Sequence, residues 1–164
     1  IDRGGDIVAS RWFFDHVVAE GVPFDAIGLS YYPWWHGTLE RLSQNLAALA
    51  DRYGRDLFVV ETAYPWTLDA LDGEGNIVGL PGQLLPGYAA TPAGQAAFLR
   101  RLAEVVSATP KGHGRGVFTW APDWVAAPGL GSGGENLALF DGRGNLLPGA
   151  DALAAARGKP VRRR

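Results

Sequence analysis

With 164 residues, 47% hydrophobic and 20% charged, the chain is long enough for one sizeable core and has an ordinary globular composition. Its formal net charge of −2 argues against nucleic acid or an anionic membrane as partner, since both call for a basic excess. The absence of cysteine excludes a disulfide framework and a thiolate metal site, and no apolar run reaches the roughly 20 residues needed to span a bilayer.

The chain opens on Ile1-Asp2-Arg3-Gly4-Gly5-Asp6, which reads as the end of a strand and its turn and not as a signal peptide. From Ile7 to Glu20, the apolar residues Ile7, Val8, Trp12, Phe13, Val17 and Val18 follow a period near 3.6, predicting an amphipathic helix stopped by Gly21 and Pro23. A strand is predicted from Phe24 to about Tyr31. Thr38 caps a second helix whose stripe is Leu39, Leu42, Leu46, Leu49 and Tyr53, closed by Gly54. The run Asp56 to Glu61 predicts a strand buried on both faces at Leu57 to Val60. Residues 63–90 form a connection much longer than the usual ~2–6 residues, a length that points to function. Thr91-Pro92 starts a helix to about Ser107, with threonine as cap and proline at the first helical position. A last strand, Gly116 to Trp120, leads through a second long loop to a short helix, Ala150 to Ala156. Lys159 to Arg164 is basic and reads as a solvated, disordered end.

Strands alternating with helices imply a parallel α/β sheet, either an open doubly wound sheet or a (β/α)₈ barrel. Each strand ends in residues capable of chemistry: Tyr31 to His36, Glu61 to Trp66, and Trp120 to Trp124. Function spread over successive strand tips is barrel behaviour, whereas an open sheet concentrates its site at one switch point. No glycine-rich phosphate fingerprint follows a strand. A barrel needs about 250 residues, so this chain supplies only its last strands. Glu61 is the first candidate for chemistry, because a charge at the tip of an apolar strand costs free energy unless it is used. The aromatic rings beside it suit a sugar chain. Trp35 and Trp124 can equally pack beneath loops, while Tyr32 and Trp120 sit where strand alternation points toward the site.

Phe24-Asp25-Ala26-Ile27-Gly28-Leu29-Ser30-Tyr31-Tyr32-Pro33-Trp34-Trp35-His36-Gly37-Thr38-Leu39 and Val59-Val60-Glu61-Thr62-Ala63-Tyr64-Pro65-Trp66-Thr67 together resemble glycoside hydrolase family 53, the endo-β-1,4-galactanases. Ile1 to Asp6 and Glu135-Asn136-Leu137-Ala138-Leu139-Phe140-Asp141 extend the match over nearly the whole chain. The resemblance implies the C-terminal part of a (β/α)₈ TIM barrel, from the end of strand five through strand eight. Residues 1–157 would belong to the catalytic domain and 158–164 to the tail. It also implies retaining hydrolysis of β-1,4-galactan or arabinogalactan by a monomeric full-length enzyme. Secretion follows only because a polymeric substrate lies outside the cell.

By the same resemblance, Glu61 is the nucleophile and Tyr32 the residue that orients it. Trp120 is the aromatic floor, Asp2 lines the cleft, and Trp34, His36 and Trp66 are further candidates for substrate contact. His36 could instead stabilise its loop. His113, between two glycines, reads as a solvated loop residue. The family's acid/base is a glutamate following asparagine at the end of strand four, upstream of Ile1. Asp6, Asp25, Glu40 and Asp123 do not stand at a matching position, and the fragment is expected to be inactive alone. Where the family commonly shows Trp-Glu-Pro, this chain has Trp120-Ala121-Pro122, one carboxylate fewer beside the cleft. Calcium, which some bacterial members bind between the loops after strands seven and eight, would draw on Asp72, Glu74, Asn76, Ser132 and Glu135. Asp72 to Asn76 can also be a simple polar turn. Two other functions fit the same residues: a noncatalytic carbohydrate-binding module, and a half-barrel that pairs with a second copy.

Overall fold

A computed structural model describes residues 1–127 and 129–155. In chain order the elements are α1 (Ile7–Ala19), β1 (Ala26–Ser30), α2 (Pro33–His36), α3 (Leu39–Tyr53), β2 (Asp56–Glu61), α4 (Pro92–Ser107), β3 (Gly114–Val117) and α5 (Pro148–Ala155), with short 3₁₀ turns at 81–83 and 135–137. The chain is an α/β arrangement around a parallel sheet of order β1-β2-β3. The predicted basic tail and Ala156 lie outside the described residues.

Local sequence explains where the helices start. Asp6 Oδ1 accepts from the amides of Val8 and Ala9 at 3.0 and 2.9 Å, Thr38 Oγ1 from Arg41 and Thr91 Oγ1 from Gly94. Gly54 ends α3 in the left-handed conformation that its missing Cβ permits. Along α3 the predicted stripe is buried: Leu42, Leu46 and Leu49 are fully enclosed, with Leu39 beside them. They meet Ile27, Leu29, Leu57 and Val59 of the sheet and Phe98, Leu99 and Leu102 of α4. Each enclosed leucine contributes about 1.5–3 kcal/mol of burial free energy.

Two apolar faces lie open among the described residues. Helices cover one face of the sheet; the other carries Phe58, the 40% exposed Val60 and Phe118, so the expectation of a strand buried on both faces is corrected. On α1 the predicted apolar stripe is also the wrong one. Val8, Trp12, Phe13 and Val18 are exposed, while Ser10 and Phe14 face the core. The inward contact is polar at its centre: Asn45 Nδ2 of α3 bonds Ser10 Oγ and the carbonyls of Arg3 and Gly4. Periodicity could not see that contact, because it counts apolar residues only.

Strand bounds also shift. β1 is shorter than Phe24 to Tyr31. β3 begins two residues before the predicted Gly116, because Leu57 N–H donates to the His113 carbonyl and starts the pairing there. Ladder-like bonds continue past the strands: Tyr31 N–H donates to Glu61 O at 2.8 Å, Phe118 N–H to Val59 O, and Trp120 N–H to Thr62 O at 2.9 Å. They bring Tyr31, Glu61 and Trp120 to one level at the carboxyl end of the sheet. His113, expected in solvent, is half-buried at the opposite end, 3.7 Å from Asp56.

Candidate active site

Residues from every predicted strand tip converge on one cleft of about 230 Å³ lined by Asp2, Tyr32, Trp34, Trp35, Glu61, Ile77, Trp120 and Leu137. Glu61 closes β2, half-buried, and Tyr32 Oη donates to its Oε2 at 3.3 Å. Burial, reinforced by the charge of Glu61, holds the Tyr32 hydroxyl well above the usual phenol pKa. It therefore stays a proton donor to the carboxylate. Tyr32 stacks at a tilt on Trp34 and edge-on to Trp35, with centroids 5.3 and 5.4 Å apart. Trp120 packs edge-on against Trp124 at 4.6 Å. Trp35 thus lines the cleft, and Trp124 braces Trp120 from behind.

Trp120 is followed by Ala121 at φ 47°, a left-handed conformation rare for a residue with a Cβ. That turn lets Trp124 N–H reach the Ala121 carbonyl and folds the second indole back onto the first.

The loop after β1 holds a short helix that the sequence left as irregular. Four residues with proline at the first position, α2 is too short to show periodicity. Gly37, at φ 81°, releases the chain after it, and Gly5 admits its backbone, since a Cβ there would sit 1.7 Å from the His36 carbonyl oxygen. His36 does not offer its ring to the cleft. Nδ1 accepts from Tyr32 N–H at 2.9 Å, and Nε2 lies 3.1 Å from Asp2 Oδ1. No ring nitrogen remains for a sugar hydroxyl, and the loop-stabilising alternative is the one the geometry supports.

Trp66 is also displaced from the Glu61 cleft. It lines a separate, larger cavity with Leu71, Asp72, Asp141 and Arg143, because its amide is tied to the Asn136 carbonyl at 2.9 Å. Two buried amides that sequence reading passed over build this region. Gln95 Nε2 of α4 donates to the carbonyls of Tyr64 and Ala138, both at 2.9 Å, and Asn136 Nδ2 to those of Thr67 and Val78, both at 2.8 Å. Each amide joins the loop after β2 to the segment after β3. The available signal was an amide at a core position of an otherwise apolar helix face. Tyr64 anchors the same loop, stacked on Phe98 at 4.2 Å with its hydroxyl donating to Tyr88 O, and burial pushes its pKa up to about 12.

Of the five oxygen-bearing residues expected for calcium, Asp72 joins Ser132 across these loops, and Glu135 reaches Leu71 beside Asp72. Asp72 Oδ2 accepts from Ser132 N–H at 2.7 Å and its Oδ1 from Glu74 N–H. Glu135, 1% exposed, accepts from Leu71 N–H through Oε1, while its Oε2 and Asn76 Oδ1 are buried without a partner. Glu74 lies in solvent with its stem against Gly131. Among the described residues, no three His, Cys, Asp or Glu side chains cluster as a metal cage.

Fold and cleft define a parallel α/β protein that gathers a carboxylate and stacked aromatic rings at the carboxyl ends of its strands, where (β/α)₈ proteins place their sites. The family model described as Glycosyl hydrolase family 53 matches residues 1–153, and the chain belongs to that family. It is 49% identical over 160 residues to a Niallia circulans protein described as an "uncharacterized protein in bgaB 5'region", covering 94% of this chain and 44% of that one. It is 38% identical over 146 residues to the arabinogalactan endo-beta-1,4-galactanase of Cellvibrio japonicus, covering 84% and 38%. Among solved structures, the family 53 catalytic domain of Ignisphaera aggregans superposes with a TM-score of 0.87 at 36% identity, over 95% of this chain and 45% of that one. The chain therefore spans less than half the length of these relatives.

Proposed function

We propose that this chain is the C-terminal part of a (β/α)₈ catalytic domain, with β1, β2 and β3 as its sixth, seventh and eighth strands, and that the full-length protein hydrolyses β-1,4-galactan with retention of configuration. The observation that carries the proposal is the Tyr32 hydroxyl on Glu61 Oε2 inside a cleft walled by Trp34, Trp35 and Trp120. The uncovered sheet face at Phe58, Val60 and Phe118 supports the barrel, because strands with two apolar faces suit a filled barrel interior.

Glu61 attacks the anomeric carbon and displaces the leaving sugar, whose glycosidic oxygen takes a proton from an acid. Water, deprotonated by the same group acting as base, then cleaves the glycosyl-enzyme. Tyr32 holds the Glu61 carboxylate in place for attack, and Trp120 offers a flat apolar surface to a sugar ring. The acid/base is a glutamate outside this sequence: besides Glu61, the carboxylate lining the cleft is Asp2, and it is engaged with His36. Without that partner the chain alone does not turn over. Secretion of the full-length protein is part of the same proposal and rests only on the polymeric nature of the proposed substrate.

Calcium fits the loop oxygens chemically. Asp72, Asn76, Ser132 and Glu135 are hard oxygen donors, and the buried unpartnered oxygens of Glu135 and Asn76 are atoms that a cation would satisfy. Glu74 would need to turn inward to join them. The ion would supply a crosslink between the two long loops and no chemistry at Glu61.

In the full-length protein, Glu61→Ala abolishes release of reducing sugar from β-1,4-galactan while galactan binding survives, and the wild type releases the β-anomer first by proton NMR. Retained turnover, or first release of the α-anomer, refutes the assignment. Binding by the wild type without any turnover would make it a carbohydrate-binding module.

A further inference from the structure

His36 lies at the end of α2 with its side chain 8% exposed. An amide can only donate, so the 2.9 Å contact from Tyr32 N–H requires Nδ1 to be the unprotonated acceptor. The ring proton of the neutral imidazole then belongs on Nε2, where Asp2 Oδ1 accepts it at 3.1 Å. Tyr32 is the residue at which the chain leaves β1 and enters α2, a helix start with no side-chain cap of its own. The imidazole of His36 instead pairs the amide of Tyr32 itself from four residues downstream. Beyond it, the Tyr32 ring carries the hydroxyl that meets Glu61 at 3.3 Å. Asp2, His36, Tyr32 and Glu61 form one connected series across the cleft.

We propose that His36 is a positioning residue: as the neutral Nε2–H tautomer, selected by Asp2, it holds the Tyr32 backbone and thereby the hydroxyl that aligns Glu61. The inference rests on Glu61 being the nucleophile. Either alternative ring state, Nδ1–H or imidazolium, points an N–H at an N–H and leaves the Tyr32 amide without an acceptor. Leaving such a buried donor unpaired costs more than the bond contributes when made. The charged groups around the ring are Asp2, which favours a proton, and Arg3, which opposes it; Asp6 and Arg41, with Arg3, line the adjoining cavity. Tyr31 and Tyr32 also pack against the imidazole, at 6.3 Å each, and remain protonated. Burial outweighs Asp2 and keeps the imidazole neutral at neutral pH.

The test uses the full-length protein labelled with ¹⁵N-histidine. This chain contributes three histidines, and the signal lost in His36→Asn identifies the one in question. The wild type should show an unprotonated Nδ1 and a protonated Nε2 at pH 7, titrating below the ordinary histidine value. His36→Phe should lower kcat on β-1,4-galactan about tenfold or more with KM within about twofold. His36→Asn, whose amide oxygen stands where Nδ1 stood, should recover most of the loss, and His36→Gln, whose amide stands in for Nε2, should not. An Nδ1–H or charged ring at pH 7 overturns the proposal, as does an unchanged kcat in His36→Phe. An effect on KM alone would return His36 to sugar binding and also overturn it. Should the wild type fail to cleave galactan, the nucleophile assignment falls by itself, while the tautomer is still read from the spectrum.

Discussion

Replacing Tyr32 by phenylalanine removes one oxygen and leaves the ring in its stack with Trp34 and Trp35. A hydrogen bond to a charged group contributes about 1.5–3 kcal/mol. The Oη to Oε2 separation of 3.3 Å exceeds the usual O–H···O distance of about 2.7–2.8 Å, which places this bond at the low end of that range. A loss of about 1.5 kcal/mol at the transition state corresponds to roughly a tenfold fall in rate. Because Tyr32 touches Glu61 and is not proposed to bind the sugar, the loss belongs in kcat, with KM within about twofold. Initial rates of reducing-sugar release from β-1,4-galactan by the full-length wild type and Tyr32→Phe measure it, with calorimetry confirming a similar melting temperature. An unchanged kcat/KM in a folded variant would refute the orienting role. A loss beyond about ten-thousandfold would refute it too, since that would make the hydroxyl a chemical participant.

Gln95→Leu preserves volume but strands the carbonyls of Tyr64 and Ala138, at a cost of about 1–3 kcal/mol each; denaturant unfolding should show a lower midpoint at unchanged slope. Burial lowers the His36 pKa in the folded chain, so the unfolded state binds more protons as pH falls below the ordinary histidine value of about 6.5. That contribution to stability is present above this pH and is lost progressively on acidification. A pH series of unfolding free energies should show the decline in the wild type and a shallower one in His36→Asn. If calcium crosslinks the long loops, a chelator lowers the melting temperature of the full-length wild type, and Glu135→Gln narrows the difference. Equal melting temperatures with calcium and with chelator would remove the ion from these loops.

Much of the architecture was legible in the sequence because its determinants are local. The leucine stripe of α3, the caps Thr38 and Thr91, and the strand that ends at Glu61 each lie within one element and formed where expected, although one face of that strand is open. Strand tips could be recognised because a carboxylate and aromatic rings follow apolar runs that do not otherwise need them. The stripe on α1 misled for a related reason. Periodicity identifies which residues share a helix face but not which face meets a neighbour, and here the meeting face is Ser10 and Phe14, with Asn45 of α3 bonding Ser10.

By itself, the sequence determined an alternating parallel α/β order, the starts of α1, α3 and α4, and a family signature centred on Tyr32 and Glu61. Tertiary structure decided what those residues touch. It made the His36 ring, for which sugar contact and loop support both stood open, the acceptor for Tyr32 N–H, put Trp66 at another cavity, and showed Gln95 and Asn136 joining distant loops. The physical reason is range. Helix periodicity and caps are set by residues within a few positions, whereas the partners of buried amides and rings lie up to 69 positions away, and only the folded chain brings them together.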